Sequence, residues 1–346
     1  MKRLVSVLLI AIIGFVPLFA SGQAEEEAAA PESEYSWQPD RPINLIVPWG
    51  AGGGTDRTAR ATIAVVEEHL GQTIVVVNQP GAAGSVGTQA TLDAPADGYT
   101  WTAGAVKDLG NYVVQGMLDT TLDEWELYLN FAIPNVVAVN VDTPYETFDD
   151  LLAAFEANPG EISVATAGVN SAGHTAIELI RNYTGIEYQH VTYDGGNPAV
   201  IATVGGETEV VTQLSGEQVD MIRAGQLRPL AVLADRPLAM AGVDGEVPPI
   251  TNWIPDFESA PINFGIFVPS DVPSEVIETL DMIWAEHVAD SEELAEFAAD
   301  NAMVFDPAYG EEALAKSMPM VRMDAWLKYD AGDAVINPSE VGYERP

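Results

Sequence analysis

The residues of this chain best suited to hold another molecule are glycines and their small polar neighbours. The run Val47-Pro48-Trp49-Gly50-Ala51-Gly52-Gly53-Gly54-Thr55-Asp56 ends where a helix is expected to begin. A helix N-terminus presents main-chain N–H groups without intrahelical partners, and its dipole makes the spot electropositive, so an anion is held there. Glycine leaves the main chain open to close approach and tolerates positive φ. A second run of this type, Asn78-Gln79-Pro80-Gly81-Ala82-Ala83-Gly84-Ser85-Val86-Gly87, comes about one βα unit later. A third spans Ala167-Gly168-Val169-Asn170-Ser171-Ala172-Gly173-His174 and a fourth Val191-Thr192-Tyr193-Asp194-Gly195-Gly196-Asn197-Pro198-Ala199. Four such turns, two in each half of the chain, suggest two lobes facing a shared cleft.

Covalent chemistry finds less support. A dinucleotide fingerprint is met at Gly50 and Gly52 but fails at Thr55, and no Walker lysine follows the glycines. The stretch over 168–173 is one residue too long for a nucleophile elbow. His174 has no second histidine or carboxylate at metal spacing, and His69, His190 and His287 have no partners in sequence. With 52 Asp and Glu, any carboxylate pair could be assembled by choice, so pairs carry no weight. The expectation is binding without catalysis, metal or cofactor; a hydrolase, which assays on small esters or phosphates would reveal, is the enzyme alternative.

Several side chains admit two roles. Asp56 opens a helix and lies at i, i+4 from Arg60, which suits an ion pair that shapes the loop, with ligand contact as the alternative. Thr55 could cap the helix or donate to a ligand. Lys107, alone among lysines between residues 2 and 316, follows a strand end where α/β sheets bind ligands; it is either a surface lysine or a ligand contact. Arg57 reads as exposed on its helix or as a source of cationic character. Trp49 could wall a cleft or pack in the core. Asp194, in a cleft, would disfavour an anion and suit an amine, and otherwise points to solvent. Gln213, Ser215 and Gln218 fall where a second lobe could line the cleft.

The elements that must position these residues follow from periodicity. Ile43, Leu45, Ile46 and Val47 read as a short buried strand and 55–69 as a helix with Ile63, Val66 and Leu70 on its apolar face. Strands are expected at 74–77, 99–103 and 162–165 and helices at 87–92 and, capped by Thr147, up to Phe155. The β-branched run within 131–141 leads out of the first lobe, and 261–268 returns to it. From Ser274 an amphipathic helix places Val276, Leu280, Ile283, Trp284 and Val288 on one face. A last helix over 311–329 should kink or restart at Pro319.

At 346 residues, two lobes or domains are the prior. Residues 1–24 have the basic start, apolar run and small residues of an export signal, and 25–38 read as a disordered acidic leader. No later segment is apolar enough to span a bilayer. The absence of cysteine excludes disulfides and thiolate chemistry. With 14 Lys and Arg the formal net charge is −38, which disfavours nucleic acid and anionic membranes as partners. Acidity spread along the whole chain fits a saline habitat, where the Debye length falls to about 3 Å at 1 M salt.

The chain also resembles a known family. Pro48-Trp49, Ala51-Gly52-Gly53, Thr55-Asp56 and Ala59-Arg60, then Asn78, Pro80-Gly81-Ala82, Gly84 and Gly87, then Asp97-Gly98-Tyr99-Thr100, are similar to the substrate-binding proteins of tripartite tricarboxylate transporters, the TctC/Bug family. Ser171 and His174 fall on that family's third turn, and Tyr193, Gly195-Gly196 and Pro198-Ala199 on its fourth. The likeness continues through Gly205-Gly206, Ala224-Gly225, Leu227-Arg228, Leu230-Ala231-Val232 and Arg236. It implies an α/β, type II periplasmic-binding-protein fold of two lobes, each a mixed sheet flanked by helices. Lobe 1 is expected over 39–140 plus 262–346 and lobe 2 over 141–261. The implied function is capture of a small carboxylate, largely by main-chain amides, by a monomeric extracytoplasmic protein that delivers it to a membrane permease. An exported sensor of the same fold, feeding a signalling receptor, is the alternative. The ligand shell so expected comprises Trp49, Ala51, Gly52, Gly53, Thr55 and Asp56 from the first turn and Ala83, Gly84 and Ser85 from the second. Lys107 joins them, with Asn170, Ser171 and His174 from the third turn and Tyr193 and Asp194 from the fourth.

Overall fold

The computed structural model describes residues 35–258 and 260–346; the expected export signal and most of the leader lie outside them. The first sheet opens with alternating β1 (Ile43–Val47), α1 (Gly54–Leu70), β2 (Ile74–Asn78), α2 (Ser85–Leu92), β3 (Thr100–Ala105) and α3 (Val106–Gln115). Their strands pair in parallel, β1 between β2 and β3, as right-handed βα crossovers dictate. β4 (Trp125–Ile133) then joins the same sheet and runs in the direction of β3, with an antiparallel strand between them.

Pro134 ends β4, because it has no N–H to give to a ladder. The chain continues directly as β5 (Asn135–Asn140), whose partners belong to a second sheet. The expected boundary at 140 is therefore corrected to Pro134: the β-branched run of β5 is buried on both faces of the second sheet. That sheet is built from α4 (Phe148–Ala157), β6 (Ser163–Thr166), α5 (Ala172–Thr184), β7 (Gln189–Thr192), α6 (Gly196–Val204), β8 (Val210–Leu214), α7 (Ser215–Arg223) and β9 (Leu227–Val232), in strand order β7-β6-β8-β5-β9. A two-residue ribbon, β10 (Leu238–Ala239) with β11 (Glu246–Val247), follows.

The return strand β12 (Ile262–Pro269) enters the first sheet between β3 and β4. After it come α8 (Ser274–Ile283), a π turn (Trp284–Val288), α9 (Glu292–Asp300), the edge strand β13 (Val304–Tyr309) and α10 (Gly310–Ala331). The first sheet is thus ordered β13-β4-β12-β3-β1-β2. The five apolar positions expected on one face from Ser274 onward are all buried, and the Trp284 indole donates to the Leu129 carbonyl at 2.7 Å. α10 is continuous through Pro319, without the expected interruption.

Each sheet carries its own apolar core. Trp101, Phe131 and Trp284 anchor the first, and Phe148, Phe155 and Ile177 the second. Of residues 35–38, expected in the disordered leader, Tyr35 and Trp37 pack against the first core instead. Trp37 meets Tyr99 edge-on at 5.5 Å, and its N–H donates to Thr279 at 3.0 Å. Two aromatic residues supply the apolar area that the acidic part of the leader lacks.

Candidate functional site

The four small-residue turns converge where the two sheets face each other. Trp49 and Gly50, residues 80–84, residues 167–170 and residues 192–195, with Met117, line a cleft of about 590 Å³. Beneath it, a smaller chamber is walled by Gly53, Thr55, Asp108, Ser171, Gln213 and Glu217 among others. The turns touch across the cleft. A Cβ on Gly50 would stand 3.3 Å from the Asp194 carbonyl, so this crossing is built by two main chains.

The second turn shows why it needs glycine. Gly84 has φ of 93°, and a Cβ there would lie 2.5 Å from the Tyr112 hydroxyl and 3.3 Å from the Trp49 indole nitrogen. The same geometry stands Trp49 against the cleft wall. In the second lobe none of the turn hydrogen bonds uses the N–H of Val169 or of Asp194, so both are free to meet a bound anion.

In the first turn the expected Asp56–Arg60 ion pair forms and shapes the loop. Asp56 is buried, and its carboxylate accepts from the Gly52 N–H at 3.0 Å, from Asn78 Nδ2 at 3.0 Å and from Arg60 Nε at 3.0 and 3.1 Å. Burial pushes its pKa up, but Arg60 and the Gly52 N–H outweigh burial and hold it below the usual carboxylate range. Asp56 shapes the loop and is removed from the ligand shell; Gly52 spends its N–H on it, and neither Ala51 nor Gly52 lines the cleft. Thr55 does line the inner chamber, and its side chain does not cap α1. Gly54 donates to Glu217 Oε1 of the second lobe at 2.8 Å.

Lys107 is neither a surface lysine nor a cleft contact. It is 1 % exposed and directs Nζ to Asp108 at 2.6 Å, to the Asn170 carbonyl at 3.4 Å and towards Asp324 at 3.9 Å. Asp324, on α10, also accepts from Thr175 Oγ1 at 2.6 Å, from Asn111 at 2.8 Å and from Lys328. Burial works against its charge, but the two lysines hold its carboxyl well below the ordinary value. This buried cluster joins α3 and α10 of the first lobe to the third turn and α5 of the second.

The remaining candidates divide. Ala83, Asn170, Tyr193 and Asp194 line the cleft, as does Ser171 the inner chamber. Asn170 adopts φ of 66° and donates Nδ2 to Gln115 at 3.1 Å, again across the lobes. Tyr193 reaches outward, its hydroxyl 3.4 Å from Glu207. Ser85 donates to the Ala82 carbonyl at 2.9 Å and only braces its own turn. His174 lies outside the cleft: its Nδ1 accepts from the Asn170 N–H at 3.2 Å, and its ring stacks on His190 at 4.5 Å. Burial brings it down to about 4, so it is neutral at neutral pH.

Arg57 clamps the lobes, with its guanidinium on the Gly216 carbonyl and Asn301 Oδ1. Gln213 lines the inner chamber, whereas Ser215 and Gln218 are engaged with main-chain carbonyls. Glu217 escaped the sequence reading. Its signal was a carboxylate two residues after Ser215, in a segment already suspected of facing the cleft. Its Oε2 accepts from the Gln213 amide at 2.9 Å, and burial pushes its carboxyl up to about 7. Among the described residues no three His, Asp or Glu side chains are grouped to hold a metal ion, and no helix is long and apolar enough to cross a membrane.

The sequence model of the tripartite tricarboxylate transporter family receptor, TctC, matches residues 58–316, three quarters of the chain. The chain belongs to this TctC family. Protein BugT of Bordetella pertussis is 31 % identical over 280 residues, which cover 79 % of this chain and 84 % of BugT. The periplasmic binding protein BugD shares the fold at a TM-score of 0.75 and 24 % identity, covering 86 % of this chain and 99 % of BugD. Rpa4515 of R. palustris, solved with adipate, superimposes at a TM-score of 0.72 and 25 % identity, over 83 % and 98 % of the two chains. The fold is thus the two-lobed periplasmic-binding-protein type that the resemblance implied, and this TctC receptor is a member of a family of solute-binding proteins.

Proposed function

We propose that this receptor is exported, works as a monomer, captures a small organic carboxylate between its lobes and delivers it to a tripartite tricarboxylate-type permease. The observation that carries the reading is the convergence of four small-residue turns on one cleft, with the Val169 and Asp194 N–H groups unspent. Main-chain donors of this kind bind a carboxylate without a cationic side chain. The adipate bound to Rpa4515 supports the same ligand class. Ligand contacts made only in the closed arrangement would stabilise closure, and the closed surface is what a permease would recognise.

Thermal unfolding against a panel of small carboxylates, amino acids and neutral sugars tests this. A solute at a hundred times its Kd adds about 2.7 kcal/mol and raises the midpoint clearly. A shift with carboxylates supports the proposal, and a shift confined to sugars overturns it.

A further inference from the structure

The charged groups that line the cleft and its inner chamber are Asp108, Asp194 and Glu217; among the described residues no Lys, Arg or His lines either. Asp108 is compensated by Lys107 at 2.6 Å. Asp194 is exposed at the mouth, and Glu217 stands in the chamber wall. Arg57 lies near Glu217 but turns its guanidinium to the Gly216 carbonyl and Asn301.

Glu217 also occupies the two helix starts that face the inner chamber. The Gly54 N–H, at the start of α1, is taken by Glu217 Oε1 at 2.8 Å. The start of α6 is closed as well, since a Cβ on Gly196 would fall 2.1 Å from Glu217 Oε2. One carboxylate can still be met by the free N–H groups of the second-lobe turns. A second carboxylate reaching inward meets a carboxylate, whereas an ammonium group there gains an acceptor and loses a repulsion.

We infer that the cleft takes a solute bearing one carboxylate and one ammonium group, with Glu217 as the residue that selects the ammonium end. The inference rests on the carboxylate-binding reading above and narrows it to zwitterions.

The test is calorimetric titration of the mature protein at pH 8 with two length-matched pairs, 4-aminobutanoate against glutarate and 5-aminopentanoate against adipate. The amino acid of at least one pair should bind about tenfold more tightly than its diacid, and Glu217→Gln should reduce that ratio by about tenfold. Asp194→Asn, at the exposed mouth, should reduce it less. Tighter binding of the diacids overturns the inference and leaves the carboxylate reading standing. Binding of none of the four overturns the inference, and the carboxylate reading is then decided by the thermal-unfolding panel. A ratio unchanged in Glu217→Gln but lost in Asp194→Asn overturns the assignment to Glu217. The wild-type ratio stands as evidence even where a variant does not fold.

Discussion

The Glu217 carboxylate of α7 and the Gly54 N–H of α1 meet at 2.8 Å across the two lobes. The contact places an acid of the second lobe on the helix N-terminus of the first. Burial raises Glu217 from an ordinary 4.5 to about 7, against the Gly54 hydrogen bond and the nearby Arg57 charge.

That shift has a readable sign. Between pH 4.5 and about 7 the folded protein keeps a proton on Glu217 that the unfolded chain has released. Stability relative to Glu217→Gln should therefore fall as pH rises through this window and level off above it. Urea unfolding of the two proteins from pH 4.5 to 8.5 measures the difference; a difference that grows with pH would contradict it.

Asp56 should behave oppositely. Held below its ordinary 3.8 by Arg60 and the Gly52 N–H despite burial, it contributes stability above that pH and loses it as pH falls through its folded value. Asp56→Asn should cost about 1.5–3 kcal/mol at pH 7, the range for hydrogen bonds to a charged group. Denaturant midpoints at pH 7 and pH 3 should show the cost shrinking in acid.

Lys107→Met should be severe. It leaves Asp108 and Asp324 sharing Lys328 in a buried site, and breaking a buried pair costs roughly 3–5 kcal/mol. The loss is read from urea unfolding, and a cost below about 1 kcal/mol would show that the pairing is not needed.

Gly84→Ala should reduce both stability and solute binding. At φ of 93°, with Tyr112 Oη 2.5 Å from the new Cβ, the second turn must shift against Trp49. Strain of this kind costs about 1–3 kcal/mol. Thermal unfolding with and without a solute that shifts the wild type separates the two effects.

The sequence made the scaffold of the cleft legible because small residues at strand ends have few other uses. β1, β2 and the Thr147 cap of α4 stand where periodicity and capping put them. The boundary at Pro134 was misread because β5 continues β4 almost without a loop, and hydropathy does not say which sheet a buried strand joins. Lys107 was misread for a related reason: its partners Asp108 and Asp324 are one and 217 positions away, and only folding brings the second near. Asp56 and Arg60, four residues apart on one helix, were the easier pair to foresee. Glu217 was hidden by abundance, one acid among 52.

Trp49 stands in the wall of the cleft, against Gly84 and within reach of any solute that enters. None of the other six tryptophans lines the cleft, and Trp101, Trp125 and Trp284 are sealed in the cores. The molecule therefore carries its own optical gauge. Filling the cleft changes the polarity around one indole against a steady background, so intrinsic emission titrates occupancy without a dye or a label.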